Sequence, residues 1–300
     1  MGEDIQSIID TFANEHDIIA GICDAAPIDS ARLMSSPFVP FVNKDISKRT
    51  NPALIFPPVK SIIAVGVGQK SFAENFDKAV NNKSGDVQLS SLGADEDYHI
   101  HVREITTLLK NELEKTFNFN SKILVDSGTL DERIFASRAG LGFFGRNGLL
   151  ISEKFGTRFN IGLLLTNIVT MHHNSIELSD VLCKCPVDCR RCIESCPGNA
   201  LGNTNLDASN CISYLTQKDE LTAIEREKMR ASKQIYGCDI CQDSCPFNLP
   251  RKKTFVNPQE WLEMTDTEFS EKYSKTAMLW RGTKILRRNA NVFLSGAYND

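Results

Sequence analysis

Cysteine is the residue whose spacing says most in this chain. Of ten cysteines, nine lie between Cys183 and Cys245, and Cys23 stands apart. A disulfide scaffold distributes its cysteines through a short secreted sequence, whereas a cluster inside a chain of 300 residues points to metal. Two runs share one pattern, Cys189-x2-Cys192-x3-Cys196-Pro197 and Cys238-x2-Cys241-x3-Cys245-Pro246. Both reproduce the last three positions of the C-x2-C-x2-C-x3-C-P run of bacterial two-cluster ferredoxins, in which the final cysteine ligates the other cluster. Two 4Fe-4S cubanes take four thiolates each, so two runs of three leave two ligands to find. Cys185 and Cys211 complete the set. The crossing pattern gives one cluster Cys185, Cys189, Cys192 and Cys245, and the other Cys196, Cys211, Cys238 and Cys241. Three residues separate Cys185 from Cys189 instead of two, which leaves Cys183 as a rival ligand. Zinc ribbons also use C-x2-C pairs, but the two Cys-Pro endings and the lack of an interleaved histidine favour clusters. His172 and His173 read as loop residues, and Cys23, in an apolar run, as core.

Two other patterns resemble sites and fail on inspection. Gly140-Leu-Gly142-Phe-Phe-Gly145 is formally GxGxxG, yet a helix-like segment precedes it and a strand-like one follows. A dinucleotide site needs the opposite order. Asp97-Tyr98-His99 opens like the Asp-x-His-x-x-Gly of some cobalt-ligating histidines, but Val102 occupies the glycine position. Asp126, at the end of the apolar run SKILV and before Ser127-Gly128, reads from its neighbours alone as a turn or helix-capping aspartate.

The elements that must position these residues follow from periodicity. Ile5, Ile8, Ile9 and Phe12 recur at helical spacing, as do Val102, Ile105, Leu109 and Leu113 in a long helix from Tyr98 to Phe117. IIAGICD, SIIAVGV (61–67), SKILV (121–125), GLLIS and FNIGLLLTN read as strands, and DERIFASRAG as a helix closed by Gly140. The stretch 81–94, rich in Asn, Ser, Gly and Lys, reads as a mobile loop. Helices and strands mix without a βαβ rhythm, so the fold class is α+β. Residues 1–175 are expected to form a sandwich of sheet and helices, 176–250 a two-cluster ferredoxin-like module, and 251–300 a helical tail.

A net charge of -4 argues against a generic polyanion binder. No apolar run approaches the ~20 residues of a membrane helix. The acidic opening MGEDIQSIIDTFANEHD lacks a basic stretch leading into an apolar core. No signal peptide and no membrane partner are expected, and the location is expected to be cytoplasmic.

Beyond the cysteines, several blocks resemble one family. NPALIFPPVKSIIAVGV, DYHIHVREITTLLKNEL, VDSGTLDERIFASRAGLGFFGRNGLLI, LDASNCISYLT and YGCDICQDSCPFN are together similar to epoxyqueuosine reductase, the cobalamin-dependent iron–sulfur enzyme of queuosine synthesis in tRNA. The chain departs from the family at Phe143 and Arg146, where Trp and Lys are usual, and at Gly128-Thr129 in place of Ala-Pro. Members commonly continue into a C-terminal helical-repeat domain that helps hold tRNA; this sequence runs to Asp300 and is expected to represent a short form of the family.

The resemblance implies an oxidoreductase that removes the epoxide oxygen of epoxyqueuosine in tRNA as water. Its cofactors would be a base-off cobalamin and two 4Fe-4S clusters, fed by a low-potential electron donor that the sequence does not name. It makes Asp126 the proton donor and places Arg133 near substrate or near Asp126. Arg49, Tyr98, His99, Asp126 and the backbone of Leu150 would line the cobalamin pocket. A carboxylic acid donates a proton near neutrality when burial raises its pKa, so Asp126 is expected in an apolar surrounding. In the tail, Arg281, Lys284 and Arg288 recur at i, i+3, i+7, as a face for tRNA phosphates or a solvated face. Two readings compete with the family's reaction: a related corrinoid reductase acting on an organohalide or a partner corrinoid protein, and a plain iron–sulfur electron carrier.

Overall fold

The computed structural model describes residues 4–29, 41–69, 85–169, 184–202 and 206–295. Cys183, His172 and His173 lie outside the described residues. Nine strands are described: β1 (Ile19–Asp24), β2 (Ser61–Gly68), β3 (Val87–Leu89), β4 (Ser121–Val125), β5 (Phe143–Phe144), β6 (Leu150–Ile151), β7 (Phe159–Thr166), β8 (Gln234–Tyr236) and β9 (Thr254–Val256). Contacts divide the chain into two units that interleave in sequence: 1–69, 99–189 and 246–248 form one, and 70–98, 190–245 and 249–300 the other.

The first unit is built on an antiparallel sheet in the order β1-β2-β7-β4. Alternation divides its residues between two faces. Ile63, Val65, Val67, Val125 and Leu164 pack with the helices Ile5–Glu15 and Tyr98–Glu114. Ile62, Ala64, Leu124, Leu163 and Leu165 pack with the helix Glu132–Arg138. Both faces are covered, which is why SIIAVGV and IGLLLT are apolar at almost every position. Gly162 in β7 marks the closest approach of a helix. A Cβ there would stand 2.5 Å from Thr106 Oγ1 and 2.8 Å from Val102 Cγ1. The mixed α+β architecture expected from periodicity is present.

The helix Glu132–Arg138 ends where the sequence suggested. Gly140 has φ 86°, its N–H donates to Ser137 O, and that of Leu141 donates to Ala136 O. This is a Schellman stop, which a glycine in the left-handed region makes without strain. The chain then turns into the hairpin of β5 and β6, pairing Phe144 with Leu150. The GxGxxG residues thus follow a helix and contain a strand, the wrong order for a dinucleotide site.

The second unit shows why the 81–94 expectation fails over the residues described there. Val87–Leu89 is a strand and Ser91–Ala94 a helical turn. β3 pairs with β8 in parallel and with β9 antiparallel. Val87, Leu89 and Ala94 are buried among Ile235, Tyr236, Trp261, Phe269, Tyr273, Met278 and Leu286. The partners that rescue this short strand come from about 150 residues away, beyond the reach of local composition.

The tail is helical, at Pro258–Glu263, Asp266–Tyr273 and Thr283–Leu294. The shared face of Arg281, Lys284 and Arg288 does not form. Arg281 ends a separate 3₁₀ segment, and Gly282, at φ 79°, breaks the path before Lys284. Arg288 is turned inward. Its guanidinium donates to the carbonyl oxygens of Leu215 at 3.1 Å, Thr216 at 3.2 Å and Asp219 at 3.3 Å, and also to that of Lys218. Burial first, then the like charges of Arg226 and Arg281, bring its pKa down to about 10. No described helix is long and apolar enough to cross a membrane.

Candidate functional site

The cysteine centre rests on two matching turns in the second unit. The helical turns Arg191–Glu194 and Ile240–Asp243 pack together and end at Ser195 and Ser244, both with φ -82° and ψ -10°. The two hydroxyls lie 2.9 Å apart, and that of Ser244 donates to Cys241 O at 3.1 Å. Each serine precedes the Cys-Pro step, so the repeat seen in sequence is a repeat in backbone geometry.

Cys196, Cys211, Cys238 and Cys241 come together. Cys238 is pushed up to about 12, chiefly by burial and then by the charges of Cys211, Asp239 and Cys196. Cys241 is raised well above an ordinary thiol, by burial and then by Cys238, Cys211, Cys196 and Cys192. Cys211 is raised by burial and by Cys196. Cys211, Cys238 and Cys241, half-buried thiols that resist ionising beside one another, are donors that a cationic metal centre would deprotonate. Backbone N–H groups are already aimed at them: Ala200 N–H at Cys196 Sγ (3.3 Å), those of Ser213 and Tyr214 at Cys211, and that of Ile240 at Cys238. N–H···S bonds of this kind favour thiolate and set cluster potential. Residue types, burial and amide donors therefore fit an iron–sulfur cluster. Among the described residues, no three or more His, Cys, Asp or Glu side chains close on a single metal ion.

Cys185, Cys189, Cys192 and Cys245 form no disulfide among the described residues, and Cys192 and Cys245 are buried. Cys23 is a different case. It is buried in the first unit against Phe135 O at 3.6 Å, and burial followed by Asp24 pushes it up to about 12, with no second thiol among the causes. Its expected core position is what the structure shows.

The second cluster of polar groups lies in the first unit, where β4 ends. Asp126 has φ 41°, a left-handed conformation that a non-glycine residue adopts at a cost of about 1–3 kcal/mol. Its carboxylate is 62% exposed and lies 3.6 Å from Nε2 of His99, the second residue of the long helix. Exposure departs from the expectation of an apolar surrounding. The more enclosed carboxyl of this turn is that of Glu132, which is half-buried and does not stand out in the sequence. Glu132 Oε2 accepts the N–H of Asp126 at 2.9 Å, and Oε1 accepts the N–H of Ser127 at 3.0 Å and its hydroxyl at 3.2 Å. Burial, with the Asp126 charge as a smaller cause, raises its pKa to about 7 against the lowering effect of those hydrogen bonds. The signal was present: VDSGTLDER places a glutamate in the first turn of the next helix, six residues beyond the aspartate.

The remaining candidates are distributed around this turn. Arg133 Nη1 donates to Gly148 O at 2.9 Å, and its Nε lies 3.9 Å from Asp131. Asp131 also meets Arg49, 3.4 Å away, with both side chains buried. Its backbone N–H donates to Arg49 O at 3.0 Å. Arg49 and Arg133 are thus joined through one aspartate. Leu150 is buried in β6. Tyr98, half-buried, begins the long helix. Along that helix an open hollow of about 660 Å³ is lined by His99, Ile100, Arg103, Glu104, Thr107 and Leu108, with Ile100 and Leu108 exposed. It is an open patch along one side of a single helix, with Ile100 and Leu108 as its apolar part. His99 joins it to the Asp126 turn. These residues fit a large flat cofactor in kind: apolar surface for its body, a carboxyl and an imidazole beside it.

Known proteins resemble the chain along most of its length. Residues 184–248 match the 4Fe-4S double cluster binding domain, and 49–127 the family described as epoxyqueuosine reductase QueG, DUF1730. An epoxyqueuosine reductase of Lactococcus garvieae (strain Lg2) is 35% identical over 280 residues, 87% of this chain and 75% of the relative. One of Bacillus subtilis (strain 168) is 31% identical over 271 residues, 85% of this chain and 68% of the relative. The solved epoxyqueuosine reductase of Streptococcus thermophilus superposes with a TM-score of 0.81 at 30% identity, covering 97% of this chain and 81% of that one. A second crystal structure, of an epoxyqueuosine reductase with an epoxyqueuosine-modified tRNA-Tyr stem loop, gives 0.83 at 27% identity, covering 97% and 82%.

Proposed function

This chain belongs to the epoxyqueuosine reductase family of oxidoreductases, and from that premise we propose that it reduces epoxyqueuosine to queuosine in tRNA with Asp126 as the acid. The reaction takes two electrons and two protons, breaks both C–O bonds of the epoxide, and releases its oxygen as water with an alkene in its place. The observation that carries the reading is the Asp126 turn. A carboxyl held in a left-handed conformation at a strand end, facing His99, is presented to a ligand at local energetic cost.

Cys196, Cys211, Cys238 and Cys241 hold one 4Fe-4S cluster, supported by the mutual influence of their thiols and by amide donors at Cys196, Cys211 and Cys238; Cys185, Cys189, Cys192 and Cys245 hold the other on their spacing. Cobalamin, when bound, would supply a strongly reducing centre, and the clusters would supply one-electron redox groups beside it. Arg49, Tyr98, His99 and the Leu150 backbone line its site as the family resemblance implies, and of these His99 also lines the open hollow along the helix. Asp126 stands in water in the free protein, where a carboxyl is a poor proton reservoir at neutrality. Substrate covering it removes that water and raises its pKa toward the working range. Arg133, anchored on Gly148 and beside Asp131, presents a fixed cation at the rim for the substrate. On this reading residues 1–175 carry the cobalamin chemistry, 176–250 the clusters and 251–300 a helical tail, although residues 70–98 fold in the same compact unit as 190–245 and 249–300.

The test is anaerobic protein, reconstituted with iron, sulfide and cobalamin, reduced chemically and given tRNA carrying epoxyqueuosine. Loss of one oxygen atom from the modified nucleoside is expected. Retained cobalamin without that loss would indicate a corrinoid reductase with another substrate. Failure to retain cobalamin would leave an electron carrier.

A further inference from the structure

Glu132 does more in this turn than begin a helix. A glutamate in the first helical turn ordinarily points to solvent and interacts with the helix dipole. Here it reaches back six residues, and its two carboxylate oxygens take the consecutive N–H groups of Asp126 and Ser127 together with the Ser127 hydroxyl. The Ser127 hydroxyl lies 2.8 Å from that of Thr129, which extends the same network along the turn. The unfavourable φ of 41° at Asp126 thus coincides with a neighbouring carboxylate that accepts its own amide, in a turn also tied by the Asn43 N–H donating to Gly128 O at 2.8 Å.

We propose that Glu132 is a positioning residue for the reaction, a latch that holds the Asp126 turn in the conformation that presents the acid. The latch acts through the backbone and has no part in proton transfer to substrate. This inference rests on the reading of Asp126 as the acid, and it adds a second carboxylate with a separate role. The two carboxyls divide by environment: Asp126 exposed beside His99, Glu132 enclosed at the helix start. Charged acceptors hold amides more strongly than neutral ones, so the latch is firmest when Glu132 is ionised. Its raised pKa, about 7, places that ionisation within the physiological range, with the Asp126 carboxylate the charged group opposing it.

The test has an arm that does not involve activity. Glu132→Gln keeps the size of the side chain and removes the charge and one acceptor; Glu132→Ala removes the latch entirely. In the cluster-loaded protein at pH 8, amide hydrogen exchange at Asp126 and Ser127 is expected to rise about ten-fold or more in both variants, while exchange in β2 and β7 stays as in wild type. Single-turnover reduction of epoxyqueuosine-tRNA is expected to slow about ten-fold or more at saturating tRNA, with the tRNA concentration for half-saturation unchanged. Ser127→Ala, which loses only the hydroxyl contact, is expected to show a smaller change in the same direction. Unchanged exchange at Asp126 and Ser127 in Glu132→Ala would overturn the latch whatever the activity. Faster exchange with a full reaction rate would show that the turn needs no holding, and would overturn the positioning role. If wild type itself fails on epoxyqueuosine-tRNA, the reading of the function falls, and the exchange arm still decides whether Glu132 fixes the turn.

Discussion

Asp126 and Glu132 show how far apart two carboxyls can stand within six residues of chain. Asp126→Asn keeps size and polarity and cannot deliver a proton of suitable acidity. It is expected to lower the single-turnover rate about 10²- to 10⁴-fold while iron content and cobalamin binding persist, measured with chemically reduced enzyme so that electron delivery is not compared. Glu132 makes a prediction about stability. Its folded pKa, raised to about 7 from an ordinary 4.5, means that ionising it costs the folded state. A raised pKa contributes stability that is present at low pH and lost as pH rises through the folded value. Between pH 5 and 8 the denaturant midpoint of wild type should therefore decline more steeply than that of Glu132→Gln. Equal slopes in the two proteins would show that Glu132 ionises normally.

At the scale of elements, the tail is held by what its arginines touch. Arg288 ties the Thr283–Leu294 helix to the carbonyl end of the Ile212–Leu215 helix, where a cation also meets the negative end of the dipole. Arg288→Ala removes the guanidinium from the part-buried carbonyls of Leu215, Thr216 and Lys218, of which that of Thr216 keeps Asn289 Nδ2, and is expected to cost about 1–3 kcal/mol of unfolding free energy by denaturant titration. The Lys284→Ala control should move stability by less than about 0.5 kcal/mol, as for a surface residue without such contacts. If the two variants were equally stable, Arg288 would be a surface cation after all.

For the whole molecule, the metal inventory is the decisive quantity. Two cubanes imply about eight iron and eight sulfide per chain in protein purified or reconstituted without oxygen. Cys211→Ala, which removes a ligand lying outside both compact runs, is expected to lower iron or convert one cluster to a three-iron form. Cys23→Ala should leave iron untouched, because that thiol has a carbonyl and apolar side chains around it. Full iron in both variants would refute the ligand scheme, and stoichiometric zinc would refute the clusters.

The sequence alone determined much of this, because spacing and periodicity are local properties. Cys-x2-Cys-x3-Cys-Pro is a statement about successive turns of backbone, and the matching angles at Ser195 and Ser244 are its consequence. Apolar runs long enough to be covered on both faces gave β2 and β7 their places, and Gly140 the end of its helix. Cys23 was legible as core for the same reason. What needed the tertiary structure is set by partners distant in the chain or by side-chain direction. The strand at Val87–Leu89 exists because β8 and β9 supply hydrogen bonds to an otherwise turn-like stretch. Arg281, Lys284 and Arg288 looked like one face because helical spacing was assumed across Gly282, whose positive φ ends it. Asp126 and Glu132 are both acidic and six residues apart. Only folding decided which carboxyl is enclosed by the backbone and which faces His99.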